Sequence, residues 1–315
     1  MAKAPTSDSP ASLPRPLPLL IAGPTAAGKS EIALLLAEKT GGEIVSVDSM
    51  QVYRGLDLGT AKPAAADRAR VPHHLIDVVD LSEPFDAAKF ASLAHKAVAE
   101  IQARGQVPIL CGGTGLYFKV FLEGLGAAPP ADEKLRAGLE AMPLPDLLRE
   151  LAERDPVTYD KIDRQNPRRV IRAVEVIRLT GKPFSQQKAG WKAEGRRQKA
   201  EGFGLSRRPE ELRKRINARV DEMFRRGLVA ETEQLLKHGL AQNKTAMQAL
   251  GYRQVIEHLR GERSLSETIE LVKIRTRQFA KRQMTWFRGQ MDLNWVEIGP
   301  VDAPHTIVER VLSHR

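Results

Sequence analysis

A candidate phosphate-binding loop lies near the start of the sequence, directly after an apolar run. Residues 23–30, GPTAAGKS, fit the pattern G-x-x-x-x-G-K-[ST] at every fixed position. Glycines in such a loop let N–H groups point at phosphate oxygens, Lys29 adds a positive charge, and the Ser30 hydroxyl is placed for Mg²⁺. A glycine turn with an incidental lysine is the alternative. The predicted binding residues are Gly23, Pro24, Thr25, Ala26, Ala27, Gly28, Lys29 and Ser30.

Asp48 follows a second apolar run, Glu43–Val47, and opens the segment DSMQVY. In α/β proteins the carboxyl ends of the strands are where ligands bind. A carboxylate at such a position holds Mg²⁺ through water, accepts a proton from a nucleophile, or caps the turn that follows. The residues alone favour the capping role and leave the other two open.

A glycine-rich segment, GGTGLY at 112–117, follows the apolar run at 107–111. An ATPase usually carries an acid at the end of this strand, so glycine in its place counts against ordinary ATP hydrolysis. Glycines allow a ligand or another backbone to come close, and Thr114 offers a hydroxyl. A plain glycine turn is the competing interpretation.

The elements that position these residues predict an α/β fold, a P-loop NTPase-like parallel sheet flanked by helices. The composition shifts near residue 130, and 131–199 are predicted to form an inserted all-helical subdomain. The core domain is then discontinuous, with parts at 19–130 and 200–315, and residues 1–18 are predicted to be a disordered lead. The predicted strands are Leu19–Ala22, Glu43–Val47, 75–79, 107–111 and 202–205, and the clearest early helix is Ala87–Ala103.

A helix is predicted from Pro209 to a stop at Gly227. Arg215 and Arg219 are four residues apart and share one of its faces. The opposite face is apolar, as expected for a helix that packs on a core.

A longer helix is predicted over 266–286, with a capping box at 264–267 and an end at Gly289. Its polar face carries cations without an acid between 273 and 288, which favours contact with phosphates. A basic helix that binds an acidic protein is the alternative. The cations are Lys273, Arg275, Arg277, Lys281, Arg282 and Arg288.

The composition excludes several classes of protein. The 315 residues carry a net charge of +10, which suits a protein that binds a polyanion. Cys111 is the only cysteine, which excludes an internal disulfide and a multi-cysteine zinc site and predicts a cytoplasmic location. No apolar stretch approaches the ~20 residues of a membrane span, so no membrane association is expected.

Seven ordered segments resemble those of the bacterial tRNA dimethylallyltransferases. The resemblance runs from about residue 19 to residue 290. It implies transfer of the dimethylallyl group from dimethylallyl diphosphate to N6 of adenosine 37, in tRNAs that read codons beginning with U. The segments are GPTAAGKS at 23–30, DSMQVY at 48–53, GTAKP at 59–63, GGTGLY at 112–117, NPRR at 166–169, GYRQ at 251–254 and RQFAKRQ at 277–283.

The resemblance also implies a role for each matching residue. Asp48 would accept the N6 proton, Arg219 and Thr25 would contact the diphosphate, Thr114 would complete the catalytic set, and Ser30 would hold the Mg²⁺ cofactor. Adenosine 37 would be flipped out of the anticodon loop, and the insertion would clasp the anticodon stem. The implied tRNA-binding residues are Asp48, Ser49, Met50, Gln51, Thr114, Arg136, Arg168, Arg169, Val170, Ile171, Arg172, Gln248, Ala249, Leu250, Gly251, Tyr252, Arg253, Arg277, Gln278, Lys281 and Arg282.

Two departures limit the resemblance. The chain lacks the Cys/His zinc extension of the eukaryotic relatives, and no segment matches 188–200, which we interpret as a solvated loop or a mobile RNA contact. A monomer without an obligate protein partner is expected.

Three other functions stay open at this point. An adenylate isopentenyltransferase would modify AMP or ADP and would need neither the insertion nor the basic helix. A P-loop kinase would transfer a γ-phosphate from ATP. An RNA-binding protein with a P-loop switch would bind tRNA without turnover.

Overall fold

The computed structural model describes residues 15–125, 128–187 and 198–314. A six-stranded sheet with the order β3-β2-β4-β1-β5-β6 forms its centre, and every strand pair is parallel. The strands are β1 (Leu19–Ala22), β2 (Glu43–Val47), β3 (His73–His74), β4 (Pro108–Gly112), β5 (Glu201–Ser206) and β6 (Asn294–Glu297). The predicted α/β class with a parallel sheet is confirmed.

Helices connect and flank the strands. Two short 3₁₀ helices, Leu240–Gln242 and Ala246–Gln248, lie between the helices that are named α11 and α12 below. The helices are α1 (Lys29–Thr40), α2 (Ala65–Arg70), α3 (Ala87–Ala103), α4 (Gly115–Glu123), α5 (Glu133–Glu140), α6 (Leu144–Arg154), α7 (Pro156–Lys161), α8 (Pro167–Thr180), α9 (Phe184–Gln187), α10 (Pro209–Arg225), α11 (Leu228–Lys237), α12 (Tyr252–Leu259), α13 (Leu265–Gln290) and α14 (Pro304–Leu312).

Local sequence explains the main boundaries. β1, β2 and β4 are buried along their whole length, as expected of strands in a parallel sheet that is covered on both faces. α1 ends where Gly41 adopts a left-handed conformation at φ 62°. α10 starts at Pro209, and α13 starts with the predicted capping box, in which Ser264 and Glu267 cap each other.

Three sequence-based predictions are wrong or incomplete. No strand spans 75–79, because Leu75 and Asp77 have positive φ and break the extended backbone, and the pairing strand is the two-residue β3 before them. α13 continues through Gly289 to Gln290. Sequence analysis also missed β6 and α14. Three residues of α14, Ile307, Val308 and Val311, belong to the core that contains α1.

The chain forms two compact units. One comprises 1–121 and 199–315, and the other comprises 122–198, whereas the sequence analysis began the insertion at residue 131. Among the described residues of the second unit we find helices α5 to α9 and no strand. Residues 1–14 of the expected lead and 188–197 of the unmatched segment lie outside the described residues. Among the described helices, none has the length and apolar character of a membrane span.

Candidate active site

Four neighbouring strands end at one edge of the sheet and carry the candidate site. In the order β2-β4-β1-β5, their carboxyl ends lead to Asp48, to Gly113 and Thr114, to the P-loop at 23–30, and to Arg207. Neighbouring strands lie about 4.8 Å apart. One strand, β4, therefore separates the strand that presents Asp48 from the strand that presents the P-loop.

Two arginines hold the P-loop backbone in shape. Arg215 Nε donates to the carbonyl oxygen of Ala26 at 3.0 Å, and Arg207 Nε donates to that of Ala27 at 3.0 Å. Ala26 has φ 63°, a left-handed conformation that costs a residue with a side chain about 1 kcal/mol. These two bonds, together with the one from the Ala27 N–H to the Pro24 carbonyl at 3.3 Å, fix the loop backbone just before the start of α1.

A cavity of about 430 Å³ opens beside the P-loop. It is lined by Gly28, Lys29 and Ser30 from the loop and by Arg215 and Arg219 from α10. The spacing of four residues brings both arginines to this side, as predicted. Three cations and a helix N-terminus around one cavity favour a polyanionic ligand.

Burial perturbs the pKa values of two cations of this cavity, Lys29 and Arg219. The pKa of Lys29 is lowered to about 8, mainly by burial and also by the Arg219 charge, while Cys111 and Asp48 oppose the shift. Its Nζ donates to the carbonyl oxygen of Pro24 at 2.7 Å. Burial likewise lowers the pKa of Arg219, against the opposing charge of Asp48.

Asp48 caps the turn that follows it and lies near Thr114. Asp48 Oδ1 accepts from the N–H groups of Met50 at 2.8 Å and Gln51 at 3.2 Å, so the turn leaves Oδ2 unused. The Thr114 hydroxyl accepts from the Ser49 N–H at 3.2 Å. The capping role that the residues alone favour is therefore present, and it is compatible with proton transfer at Oδ2.

Gln51 and Lys62 use their polar atoms within the protein. Gln51 Nε2 donates to the Thr60 carbonyl at 3.1 Å and its Oε1 accepts from the Ser46 hydroxyl at 2.9 Å. Lys62 is 2 % exposed and binds the carboxylates of Asp57 and Asp77. Both residues fix the loop that carries the GTAKP segment.

Several predicted tRNA-binding residues are buried and do not face solvent in this structure. Val170 and Ile171 belong to the core of the second unit. Tyr252 is 0 % exposed and donates to Glu231 Oε1 at 2.5 Å. The sequence blocks contain these residues because they build the helices. The buried set is Val170, Ile171, Ala249, Gly251 and Tyr252.

Arg136 and Arg172 of the predicted set are held by one buried acid. Arg136 Nη2 and Arg172 Nη1 both donate to Glu175 Oε2 at 2.7 Å, and Glu175 is 0 % exposed. Burial alone would raise the pKa of Glu175, but the hydrogen bonds from both arginines lower it below its ordinary value. These two guanidinium groups organise the second unit.

The basic side of α13 is narrower than the sequence suggests. Lys273 is 13 % exposed and binds Asp221 and Glu270, both at 2.8 Å, and Arg277 donates to Asn217 Oδ1 at 2.8 Å. Gln278, Lys281 and Arg282 on the same helix are exposed. Among the other predicted tRNA contacts, Arg168, Arg169, Gln248 and Arg253 are exposed, and Ser49, Met50, Thr114 and Leu250 are half-buried.

Sequence reasoning missed two residues of this site. Arg207 follows β5, and its position at the carboxyl end of a strand was the only available signal. Gln283 of α13 was not among the candidate site residues and entered only as the last residue of the RQFAKRQ segment, yet it is 7 % exposed and binds both the P-loop and the loop after β4. A polar residue on the apolar face of an amphipathic helix is the signal that could have identified it.

Comparison with known proteins identifies the family. A family model described as IPP transferase matches residues 51–290. That range exceeds half of the chain. The chain belongs to the IPP transferase family.

Curated relatives support the family assignment over nearly the whole chain. The tRNA dimethylallyltransferase of Geobacter metallireducens is 46% identical over 283 residues, which cover 89% of this chain and 92% of the relative. The tRNA dimethylallyltransferase of Desulforudis audaxviator is 45% identical over 310 residues, which cover 94% and 98%. Family membership makes the chain an enzyme of the transferase class.

Solved structures of the family share the fold. The full-length tRNA isopentenylpyrophosphate transferase of Bacillus halodurans matches with a TM-score of 0.70 and 38% identity, covering 96% of both chains. A eukaryotic dimethylallyltransferase acting on tRNA matches with a TM-score of 0.79 and 28% identity, covering 95% of this chain and 80% of that one.

Proposed function

We propose that the protein transfers the dimethylallyl group from dimethylallyl diphosphate to N6 of adenosine 37 in tRNAs that read codons beginning with U. The observation that carries the proposal is the order of strand ends at the sheet edge. A cationic diphosphate cavity at the end of β1 and an unused carboxylate oxygen on Asp48 at the end of β2 stand on either side of Thr114. The names of the relatives support the same reaction.

The P-loop side promotes departure of the leaving group. As the allylic C–O bond breaks, its electron pair passes to the diphosphate, whose negative charge grows. Lys29, Arg215 and Arg219 stabilise this charge more strongly than that of the ground state. Glycine in place of the Walker-B acid leaves no side-chain carboxylate at the end of β4 to align a water for hydrolysis.

The Asp48 side activates the acceptor. Adenine N6 is a weak nucleophile because its lone pair is delocalised into the ring. As N6 forms the new C–N bond, its proton passes to Asp48 Oδ2, which the local turn leaves available. A base reaches this edge only after flipping out of the anticodon loop.

Mg²⁺ is the proposed cofactor, and the donor set fits it. Ser30 lies exposed at the start of α1 beside the cavity, and among the described residues no cluster of three acids, histidines or cysteines offers an all-protein metal site. Mg²⁺ is commonly held by one or two protein oxygens, substrate phosphates and waters. Bound by Ser30 and the diphosphate, it would neutralise charge on the leaving group.

The exposed basic and amide side chains are the proposed tRNA contacts: Arg168, Arg169, Gln248, Arg253, Gln278, Lys281 and Arg282. Their phosphate contacts would add to the salt dependence of binding. A cytoplasmic monomer is part of the proposal.

One experiment separates the proposed function from the alternatives. The protein is incubated with Mg²⁺ and radiolabelled dimethylallyl diphosphate, with unmodified tRNA, the same tRNA carrying guanosine at position 37, AMP or ADP as the acceptor. We expect label in the first tRNA only. Label in AMP or ADP but not in tRNA would favour the adenylate isopentenyltransferase. Transfer of the γ-phosphate in a parallel reaction with labelled ATP would favour the kinase.

A further inference from the structure

Gln283 of α13 joins the diphosphate side of the site to the acceptor side. We propose that it is a positioning residue that sets the distance between the P-loop and Asp48. The inference rests on the proposed function, because the two sides it joins are those of the donor and the acceptor.

The Gln283 amide makes two hydrogen bonds in opposite directions. Its Oε1 accepts from the Thr25 N–H at 2.8 Å, and its Nε2 donates to the Gly113 carbonyl at 2.9 Å. The side chain is 7 % exposed, so water competes little for either partner. One rigid planar group therefore fixes the start of the P-loop relative to the loop that follows β4.

Glycine at 113 is required for this arrangement. A Cβ on Gly113 would clash with Gln283 Nε2, and a Cβ on Gly115 would clash with the ring of Trp286. α13 therefore lies directly against the loop. This packing gives a physical reason for Gly113 and Gly115, whereas Gly112 is required because a Cβ there would clash with the Val47 backbone of β2.

The hydrogen-bonded chain continues from Gly113 to the acceptor side. The Thr114 N–H donates to the Val47 carbonyl at 3.2 Å, and the Thr114 hydroxyl accepts from the Ser49 N–H at 3.2 Å. Val47 and Ser49 are the two neighbours of Asp48. A displacement of Gln283 would therefore change the position of the proton acceptor relative to the leaving group.

The same helix carries the exposed cations Lys281 and Arg282 immediately before Gln283. RNA phosphates bound to these cations would restrain α13. Gln283 would then transmit the restraint to both reacting sides, since a bond needs near-attack distances of about 3–3.5 Å.

The test compares two substitutions with a control on the same helix. Gln283→Met removes both hydrogen bonds at similar volume. We expect kcat to fall at least tenfold, while the KM for dimethylallyl diphosphate and the Kd for tRNA change less than threefold. Thr285→Ala, at an exposed position, should leave all three unchanged.

Gln283→Glu provides a second measurement, the pH dependence of kcat, which a purely structural role would not change. A protonated carboxyl accepts from Thr25 and donates to Gly113 as the amide does, whereas a carboxylate repels the Gly113 carbonyl. Its kcat relative to the unchanged protein should therefore rise as the pH falls toward the carboxyl pKa, and that of Gln283→Met should not.

The outcomes separate this inference from the proposed function. Unchanged protein that does not modify tRNA overturns both. Active unchanged protein, together with a folded Gln283→Met variant within twofold of its kcat, overturns the positioning role alone. If Gln283→Met fails to fold, the pH profile of Gln283→Glu decides: a constant ratio to the unchanged protein overturns the positioning role.

Discussion

At the scale of single residues, Asp48 combines a structural and a proposed chemical role. One carboxylate oxygen caps a turn through the N–H groups of Met50 and Gln51, and the other is left for the acceptor. Sequence reasoning treated the two roles as alternatives. The geometry separates them onto different oxygens.

Asp48→Asn tests the proton-acceptor role without removing the cap, because the amide oxygen still accepts from both N–H groups. The amide cannot take the N6 proton, so we expect kcat to fall about 10²- to 10⁴-fold with the Kd for tRNA unchanged. Single-turnover prenylation and filter binding measure the two quantities. A variant that keeps more than a tenth of the rate would contradict the role.

Lys29 predicts how substrate binding depends on pH. Because burial lowers its pKa to about 8, the free enzyme carries the Lys29 charge below that pH and loses it above. The Kd for dimethylallyl diphosphate should therefore stay constant from pH 6.5 to 7.5 and rise up to about tenfold per unit above pH 8. Isothermal titration measures it.

Lys29→Arg provides the matched control, since arginine stays charged throughout this range. Its Kd should not rise above pH 8. An equal rise in both proteins would assign the pH dependence to another group.

At the scale of elements, the second unit depends on one acid in α8. Glu175 is fully buried and pairs with Arg136 and Arg172. Removing one partner of such a group leaves buried charge without compensation. Arg136, which sequence reasoning assigned to tRNA, thereby joins α5 to α8, and Arg172 pairs with the same acid within α8.

Glu175→Ala should lower the free energy of unfolding by about 3 kcal/mol, because two guanidinium groups lose their acceptor. Urea denaturation followed by circular dichroism measures the change. Glu153→Ala, at an exposed position of α6, should change it by less than about 0.5 kcal/mol. Similar values for both variants would contradict the structural role.

The lowered pKa of Glu175 also predicts how the free energy of unfolding changes at acid pH. The pKa of Glu175 is lowered in the folded state, so its contribution is present above the ordinary pKa of 4.5 and is lost as the pH falls through the folded value. The free energy of unfolding should therefore differ less between pH 7 and pH 4 in the Glu175→Gln variant than in the unchanged protein.

At the scale of the whole molecule, the net charge of +10 is distributed between internal pairs and exposed cations. Lys273 and Lys281 lie on the same helix, but Lys273 binds two acids whereas Lys281 is exposed. Only an exposed cation releases counterions when it contacts a phosphate. The two lysines therefore form a matched pair for testing the RNA surface.

Lys281→Ala should reduce the slope of log Kd for tRNA against log salt concentration by about 1. Lys273→Ala should leave the slope as it is. Binding titrations at four salt concentrations give both slopes. An equal change in the two variants would contradict the assignment of the RNA surface by exposure.

The sequence by itself determined the parts of this protein that depend on neighbouring residues. The P-loop, the parallel strands β1, β2, β4 and β5, and the capped start of α13 follow from glycine placement, apolar runs and capping residues, all of which act within a few positions. The prediction of a strand at 75–79 was wrong because a local apolar pattern does not reveal the positive φ of Leu75 and Asp77.

Only the tertiary structure decided which polar residues face a ligand and which face each other. Gln283 and the P-loop are separated by more than 250 residues, and Glu175 joins two arginines that sequence reasoning assigned to RNA. A side chain of the same type is exposed at Lys281 and paired at Lys273. Such differences arise because burial and hydrogen bonding depend on which elements pack together in three dimensions. The spacing of residues along the sequence does not specify those contacts.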